Sequence, residues 1–179
     1  MGRYDEAMVQ GAKSASPKRR GTSCPIALAQ QILGDRWTVL VLRELFLGCH
    51  RFEEIQAQTE ATPQMVANRL KKLEAAGMVE RRPYNDKPLR HAYHLTEKGL
   101  ALHPVFLALR AWGETWCKAK GEEKAIQYTH IPCGKNPGLG PACRACGKVL
   151  RREDLSAQLS KSFRSERESR RAAFKGQRP

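Results

Sequence analysis

Four residues in the C-terminal third have the types and spacing of a metal site. His130 and Cys133 stand three apart, as do Cys143 and Cys146, and a glycine follows each pair, Gly134 and Gly147. In such a knuckle two side chains reach one ion while backbone N–H groups turn toward the thiolates. Two knuckles offer one imidazole and three thiols, the N/S complement of tetrahedral zinc. Four protein ligands leave no open coordination position, so the expected cofactor is a structural zinc rather than a catalytic one. The bland alternative is four residues placed by accident in a mobile extension. The loop between the pairs holds Pro137, Gly138, Gly140 and Pro141, which suits a hairpin.

The remaining cysteines depend on the compartment. No apolar run approaches the roughly 18 residues of a membrane span, and the opening stretch MGRYDEAMVQGAKS lacks the apolar core of a signal peptide. A soluble cytoplasmic protein is expected, in which six cysteines are thiols or ligands rather than disulfides. Cys49 and Cys117 have no spaced partners and read as buried or incidental.

The chain has 179 residues and a net charge of +14. That balance points to a polyanion, either nucleic acid or an anionic membrane surface. Eight of the fourteen net charges lie in residues 1–23 and 151–179. Charge alone therefore does not prove a DNA-binding domain, because a basic tail is as readily a solvated end as a phosphate-contacting arm.

Residues 1–23 are polar and small, and read as disordered. Order is expected from Cys24-Pro25, with a helix over 26–33 stopped by Gly34. Asp35 can cap a core helix over 36–47, on which Trp37, Leu40, Val41, Glu44 and Leu45 form one stripe. A short helix over 51–58 turns inward Phe52 and Ile55. After a turn at 59–61, Thr62-Pro63 gives a specific start signal for a helix that Gly77 ends. Two short helices joined by a tight turn form a helix-turn-helix. Period-two strands at 78–82 and 90–95 flank a Pro- and Asn/Asp-rich tip, making a wing. Thr96 opens a further helix with Leu102, Phe106, Leu109, Trp112 and Trp116 on one stripe, which Pro104 is expected to kink or break.

The 62–76 helix carries the readout. Val66, Leu70 and Leu73 share its apolar face, while Gln64, Asn68 and Lys71 point away, with Lys72 to the side. Asn and Gln can bond adenine in a bidentate manner and Lys can reach guanine or phosphate. Thr62, Pro63, Gln64, Met65 and Asn68 occupy the end that enters a major groove, where the helix N-terminus favours phosphate. Arg69, Lys71, Lys72 and the wing residues Arg82, Lys87 and Arg90 complete the expected DNA contacts. A polar outer face alone is what any amphipathic helix shows. The order helix, helix, turn, helix, cationic hairpin is what gives this face its meaning.

These residues resemble the HxlR family of winged helix-turn-helix regulators, which is MarR-like. The matching segments are Cys24-Pro25, Gly34-Asp35-Arg36-Trp37, Leu42-Arg43-Glu44-Leu45, and Gly48 with Arg51-Phe52-Glu53-Glu54-Ile55. Arg69-Leu70-Lys71-Lys72-Leu73-Glu74, Gly77-Met78-Val79-Glu80-Arg81, Tyr93-His94-Leu95-Thr96-Glu97-Lys98-Gly99 and Trp112-Gly113 follow in the same order. The family often has Gly-Gly-Lys-Trp where this chain has Gly34-Asp35-Arg36-Trp37, and the segment after 150 has no trusted counterpart. The resemblance implies a homodimer paired through the stripe from Leu102 to Trp116, binding a pseudopalindromic operator, most often as a repressor. It also implies that a cysteine at the position of Cys24 senses oxidants or electrophiles in some members, beside the plainer reading of a structural cysteine. A helix N-terminus favours a thiolate there, as would Arg36 if close.

The expected fold class is α+β, mainly α: a winged helix-turn-helix with a C-terminal dimerisation helix and a small zinc-ribbon-like hairpin. The expected parts are a basic segment over 1–23, the DNA-binding domain over 24–120, the Cys/His hairpin over 121–150, and a basic tail over 151–179, helical or disordered. No nucleophile–base spacing or phosphate-cradling glycine loop supports an enzyme. An adaptor whose zinc hairpin docks protein or RNA is the competing class, and the cations at Lys71 and Lys72 count against it.

Overall fold

The structure, a computed structural model, describes residues 22–176. The segment expected to be disordered over 1–23 lies, except for its last two residues, outside the described residues. The elements run α1 (Pro25–Leu33), α2 (Arg36–Phe46), α3 (Phe52–Thr59), α4 (Pro63–Ala75), β1 (Val79–Asp86) and β2 (Leu89–Leu95). They continue with α5 (Glu97–Leu100), α6 (His103–Trp116), β3 (Ile126–His130), β4 (Leu155–Leu159) and α7 (Lys161–Gly176). The class is mixed and mainly helical, as expected, and the helix-turn-helix is α3 and α4.

Local chemistry sets the boundaries. Asp35 Oδ1 accepts the backbone N–H groups of Trp37 (2.9 Å) and Thr38 (3.0 Å), starting α2. Thr62 Oγ1 accepts from Met65 N–H (3.3 Å), and Pro63 needs no donor partner at the first helical position. Gly77 ends the α4 segment with φ +67°, a left-handed conformation that glycine adopts without strain. At Gly99, a Cβ would stand 2.2 Å from the Met78 carbonyl, so only glycine lets α5 lie this close to the start of the wing.

The core is built where these helices cross. Val41, Leu42 and Leu45 of α2 meet Ile55 of α3, Val66, Leu70 and Leu73 of α4, and Met78 and Val79 at the root of the wing. β1 and β2 pair antiparallel from Val79↔Leu95 to Asp86↔Leu89, with a register shift between Pro83 and Asn85. The segment before α3 joins their edge: Arg51 bridges Ala92, and Tyr93 N–H donates to the His50 carbonyl (2.8 Å). The wing is thereby anchored beside the helix-turn-helix.

Three features refine or overturn the sequence expectations. First, the break expected at Pro104 is present: the chain breaks after α5, Pro104 falls in the first turn of α6, and the stripe from Phe106 to Trp116 continues on that one helix, with Leu102 at its N-cap. Leu102 and Phe106 then pack on the core, whereas Leu109, Trp112 and Trp116 are 50–73% exposed. Second, the Cys/His hairpin does not pair across the loop at 134–142. β3 pairs instead with β4, from Ile126↔Leu159 to His130↔Leu155, and the bridges His130↔Lys135 and Ala142↔Val149 close the two knuckles separately. Third, the segment from 151 onward, expected as a tail helical or disordered, supplies an unexpected strand β4 and then the helix α7, which packs along α3. No described helix is long and apolar enough to cross a membrane.

Candidate nucleic-acid interface and metal centre

α4 presents the expected two faces. Val66, Leu70 and Leu73 are buried, while Pro63, Gln64, Asn68, Lys71 and Lys72 are exposed and Met65 is half-buried. Gln64 Nε2 donates to Asn68 Oδ1 (3.0 Å). The two amides are therefore held one turn apart on the exposed outer face. Lys71, Lys72, Lys87 and Arg90 form no ion pair among the described residues and lie at the surface.

Two other expected contacts are engaged within the fold. Arg69 Nε lies 3.2 Å from Asp35 Oδ2, an ion pair that ties α4 to the start of α2. Arg82 pairs with Glu80 on its own strand. Arg81, next to it, pairs with Glu74 at 2.8 Å and so links the wing to the end of α4. The exposed cation set thus lies on the outer turns of α4 and at the wing tip. Arg51 stacks on Tyr84 (4.9 Å), fixing the base of that tip.

The second site is the Cys/His cluster. His130, Cys133, Cys143 and Cys146 bring their ligand atoms within 4.8 Å of one another. His130 Nδ1 lies 3.2 Å from Cys133 Sγ and 3.3 Å from Cys146 Sγ, and Cys133 Sγ lies 3.7 Å from Cys143 Sγ. Tetrahedral zinc with Zn–S bonds of about 2.3 Å places its sulfurs about 3.8 Å apart, so the donor set fits such an ion. Burial pushes the Cys143 thiol up, but the backbone N–H groups of Ala145 and Cys146 and the Cys146 and Cys133 thiols outweigh it, leaving Cys143 below the usual thiol range. A thiolate favoured in this way is a competent metal ligand. The cluster could hold a metal, and its chemistry selects a soft, tetrahedral one.

Cys24 is exposed at the N-cap of α1, where its side chain makes no capping hydrogen bond. Cys49 is buried and Cys117 exposed.

One buried cluster was not foreseen. Arg167 of α7 inserts between α2 and α3, its two Nη atoms donating to the Glu44 oxygens at 3.0 and 2.5 Å. Glu44 is fully buried and also receives Arg43 Nε at 2.8 Å. Gln58 Nε2 donates to the Arg167 carbonyl (2.9 Å). Although burial acts to lower it, the Glu44 carboxylate raises Arg167 above the usual arginine range. The available signal was Glu44 itself, an acid on an apolar stripe, which calls for a buried cation.

Comparison with known proteins places these features. The sequence model of the HxlR-like helix-turn-helix family matches residues 32–121. A Mycobacterium tuberculosis HTH-type transcriptional regulator, Rv3095, is 29% identical over 140 residues, covering 78% of this chain and 88% of the relative. The HTH-type transcriptional regulator YodB of Bacillus subtilis is 41% identical over 102 residues, covering 54% and 88%. Among solved structures, PA1607, described as a candidate transcription factor, superposes with a TM-score of 0.61 at 30% identity, covering 79% of this chain and 96% of that one. The likeness to Rv3095 and PA1607 is longer than the family segment, so it takes in part of the chain outside it.

Proposed function

The chain belongs to the HxlR-like helix-turn-helix family and is a DNA-binding transcriptional regulator, not an enzyme; from that premise we propose that it is a cytoplasmic homodimeric repressor reading a pseudopalindromic operator through α4 and the wing. The observation that carries the reading is the face of α4. Its outer side offers the coupled amides of Gln64 and Asn68 beside Lys71 and Lys72, while its inner side is fixed in the core. Thr62, Pro63, Gln64, Met65 and Asn68 enter the major groove and Asn68 reads a base edge. Lys71, Lys72, Lys87 and Arg90 contact phosphates. Arg69 and Arg82 act from their ion pairs with Asp35 and Glu80, turning remaining N–H groups to the backbone.

The dimer assignment rests on α6. Val105, Leu109, Trp112 and Trp116 leave a contiguous apolar stripe in water, which a second copy would cover. Two copies of α4 then sit about 34–36 Å apart, one turn of duplex. Zinc, held by His130, Cys133, Cys143 and Cys146, shapes the extension without taking part in chemistry. Repression follows the family resemblance, as does the candidate sensor role of Cys24, whose thiol is exposed; unchanged operator release by diamide in Cys24→Ser would remove that role.

The test is a mobility shift on the DNA upstream of the gene, titrated with salt and random competitor. Asn68→Ala is expected to weaken operator binding about tenfold or more and random binding little. Lys87→Ala is expected to lower the salt slope on both by about 1. Equal loss on operator and random DNA in Asn68→Ala would refute base reading, and an unchanged slope in Lys87→Ala would remove the wing from the interface.

A further inference from the structure

A cavity of about 250 Å³ opens between α2, α6 and β3, away from the outer face of α4. Leu40 and Phe46 of α2 and Phe106 and Leu107 of α6 give it apolar walls, and the Phe46 and Phe106 rings lie 4.8 Å apart. A dry apolar cavity of roughly 150 Å³ already takes up benzene, so this space suits a molecule of one or two rings.

Two polar groups among its lining residues are not satisfied by the protein. His103 is 3% exposed, and its Nδ1 is buried without a partner. Burial, with the charges of Arg152 and Arg110, brings its pKa down to about 4, so the ring is neutral at pH 7 and can accept or donate one hydrogen bond. Arg110 is the second. Its Nη1 donates to the Ile126 carbonyl (3.0 Å) and its Nη2 to the Gly138 carbonyl (3.3 Å), and its guanidinium lies over the Tyr128 ring at 4.7 Å. Its Nε is buried without a partner. Glu114, the acid one turn further along α6, is occupied by Lys118 at 3.3 Å and by the Ala125 N–H at 3.0 Å. None of the ion pairs among the described residues involves Arg110. The half-buried guanidinium is hydrogen-bonded only to neutral carbonyls, Glu114 acts on it only through space, and it borders an apolar space, so no carboxylate among the described residues contacts it directly.

We propose that this cavity is an effector site for a small aromatic carboxylate, its ring on the Phe46 and Phe106 walls and its carboxylate toward Arg110 and His103. The carboxylate supplies a directly contacting counter-charge and an acceptor. The rings supply the apolar area that a small cavity needs for affinity. The position suits a signal. α2 is the core helix on which α3 and α4 pack, and α6 carries the exposed tryptophans on the same stripe as Leu109, which lines the cavity. A ligand between them fixes how α6 sits on the DNA-reading unit. Binding at the cavity is read without DNA and so stands apart from the operator assignment, but Leu109 lines both the cavity and the stripe assigned to the dimer, so the inference rests on a dimer that leaves the cavity open.

Calorimetry of the full chain with its metal, titrated with 2-naphthoate and with the neutral 2-naphthamide, tests the assignment. Saturable binding of one naphthoate per chain is expected, with the amide about tenfold weaker or more. Leu40→Trp fills the cavity and is expected to cut naphthoate affinity at least tenfold, with circular dichroism unchanged. Arg110→Lys, which keeps the charge but loses the fork, is expected to bind more weakly than the parent and still prefer the acid to the amide. Equal binding of amide and acid overturns the carboxylate assignment. Naphthoate binding that survives Leu40→Trp lies elsewhere and overturns the site. Absence of saturable binding overturns it too, as does binding lost when protein concentration drives self-association, which would mean that a second copy closes the cavity.

Discussion

The winged-helix half and the C-terminal extension solve the same stability problem with different means. From α2 to α5 the chain buries a continuous apolar cluster, and each element begins or ends on a local signal such as Asp35, Thr62, Gly77 or Thr96. The extension from β3 onward buries little. Its small core is Cys143, Leu150 and Leu155 packed on Leu107 of α6, with the Cys/His cluster beside it and polar ties back to the first half. Arg152 Nε donates to the Phe46 carbonyl (3.0 Å), and Arg167 closes on Glu44. One half is held by area, the other by a few directed contacts. Small units that cannot bury enough apolar surface characteristically use metals for this, the role proposed for zinc at the Cys/His cluster.

The largest effect should come from the metal cluster. Binding of structural zinc contributes on the order of 10 kcal/mol to the folding of a small site. Cys143→Ser is therefore expected to lower zinc content well below one per chain and to release backbone protection over β3, both knuckles and β4, while α2, α3 and α4 keep theirs. Metal analysis with hydrogen exchange checks this. Equal loss of protection in both halves would show that they form one cooperative unit, and the contrast would fail.

Next in size is Arg167→Ala, which should strand the buried Glu44 carboxylate. Removing one partner of a buried pair costs about 3–5 kcal/mol, and Arg43, which also reaches Glu44, places the expectation at the lower end. Urea denaturation measures it. The double variant Glu44→Leu with Arg167→Met should recover most of the loss, because the desolvated charges leave together. A loss under about 1 kcal/mol in Arg167→Ala would mean that α7 rests on the surface of the winged helix rather than completing it.

The same contrast explains what could be read from the sequence. The elements from α1 to β2 were legible to within a few residues because their signals are local: a Pro after a cap, a glycine at a left-handed turn, a period of 3.6 or 2. The four metal-ligand candidates were legible because their spacing is local as well. The role of α7 was not. Its apolar face is thin, with Phe163, Ala173 and Phe174 the main contributors, and the contact that seats it joins Glu44 to a residue 123 positions later. β4 carries the alternation Leu155, Ala157, Leu159, a signal hidden by the charged residues just before it. The break at the start of α6 is legible in Pro104, but spacing alone does not show that Phe106 packs on the core while Leu109, Trp112 and Trp116, further along the same helix, stay exposed.

The smallest expected effect falls on the most legible residue. Asp35→Ala removes two capping hydrogen bonds from α2 and the ion pair to Arg69, at a cost of about 1 kcal/mol. Its pH dependence has a definite sign. Burial raises the Asp35 pKa, but the Thr38 hydroxyl and N–H, Arg69 and the Trp37 N–H outweigh it, so the folded value lies below that of the unfolded chain. The contribution is then fully present above the unfolded value of about 4 and is lost as pH falls through the folded one. Parent and variant stabilities should therefore differ near neutrality and converge in acid, as followed by denaturation at a series of pH values. A constant difference across that range would mean that Asp35 acts through shape rather than charge.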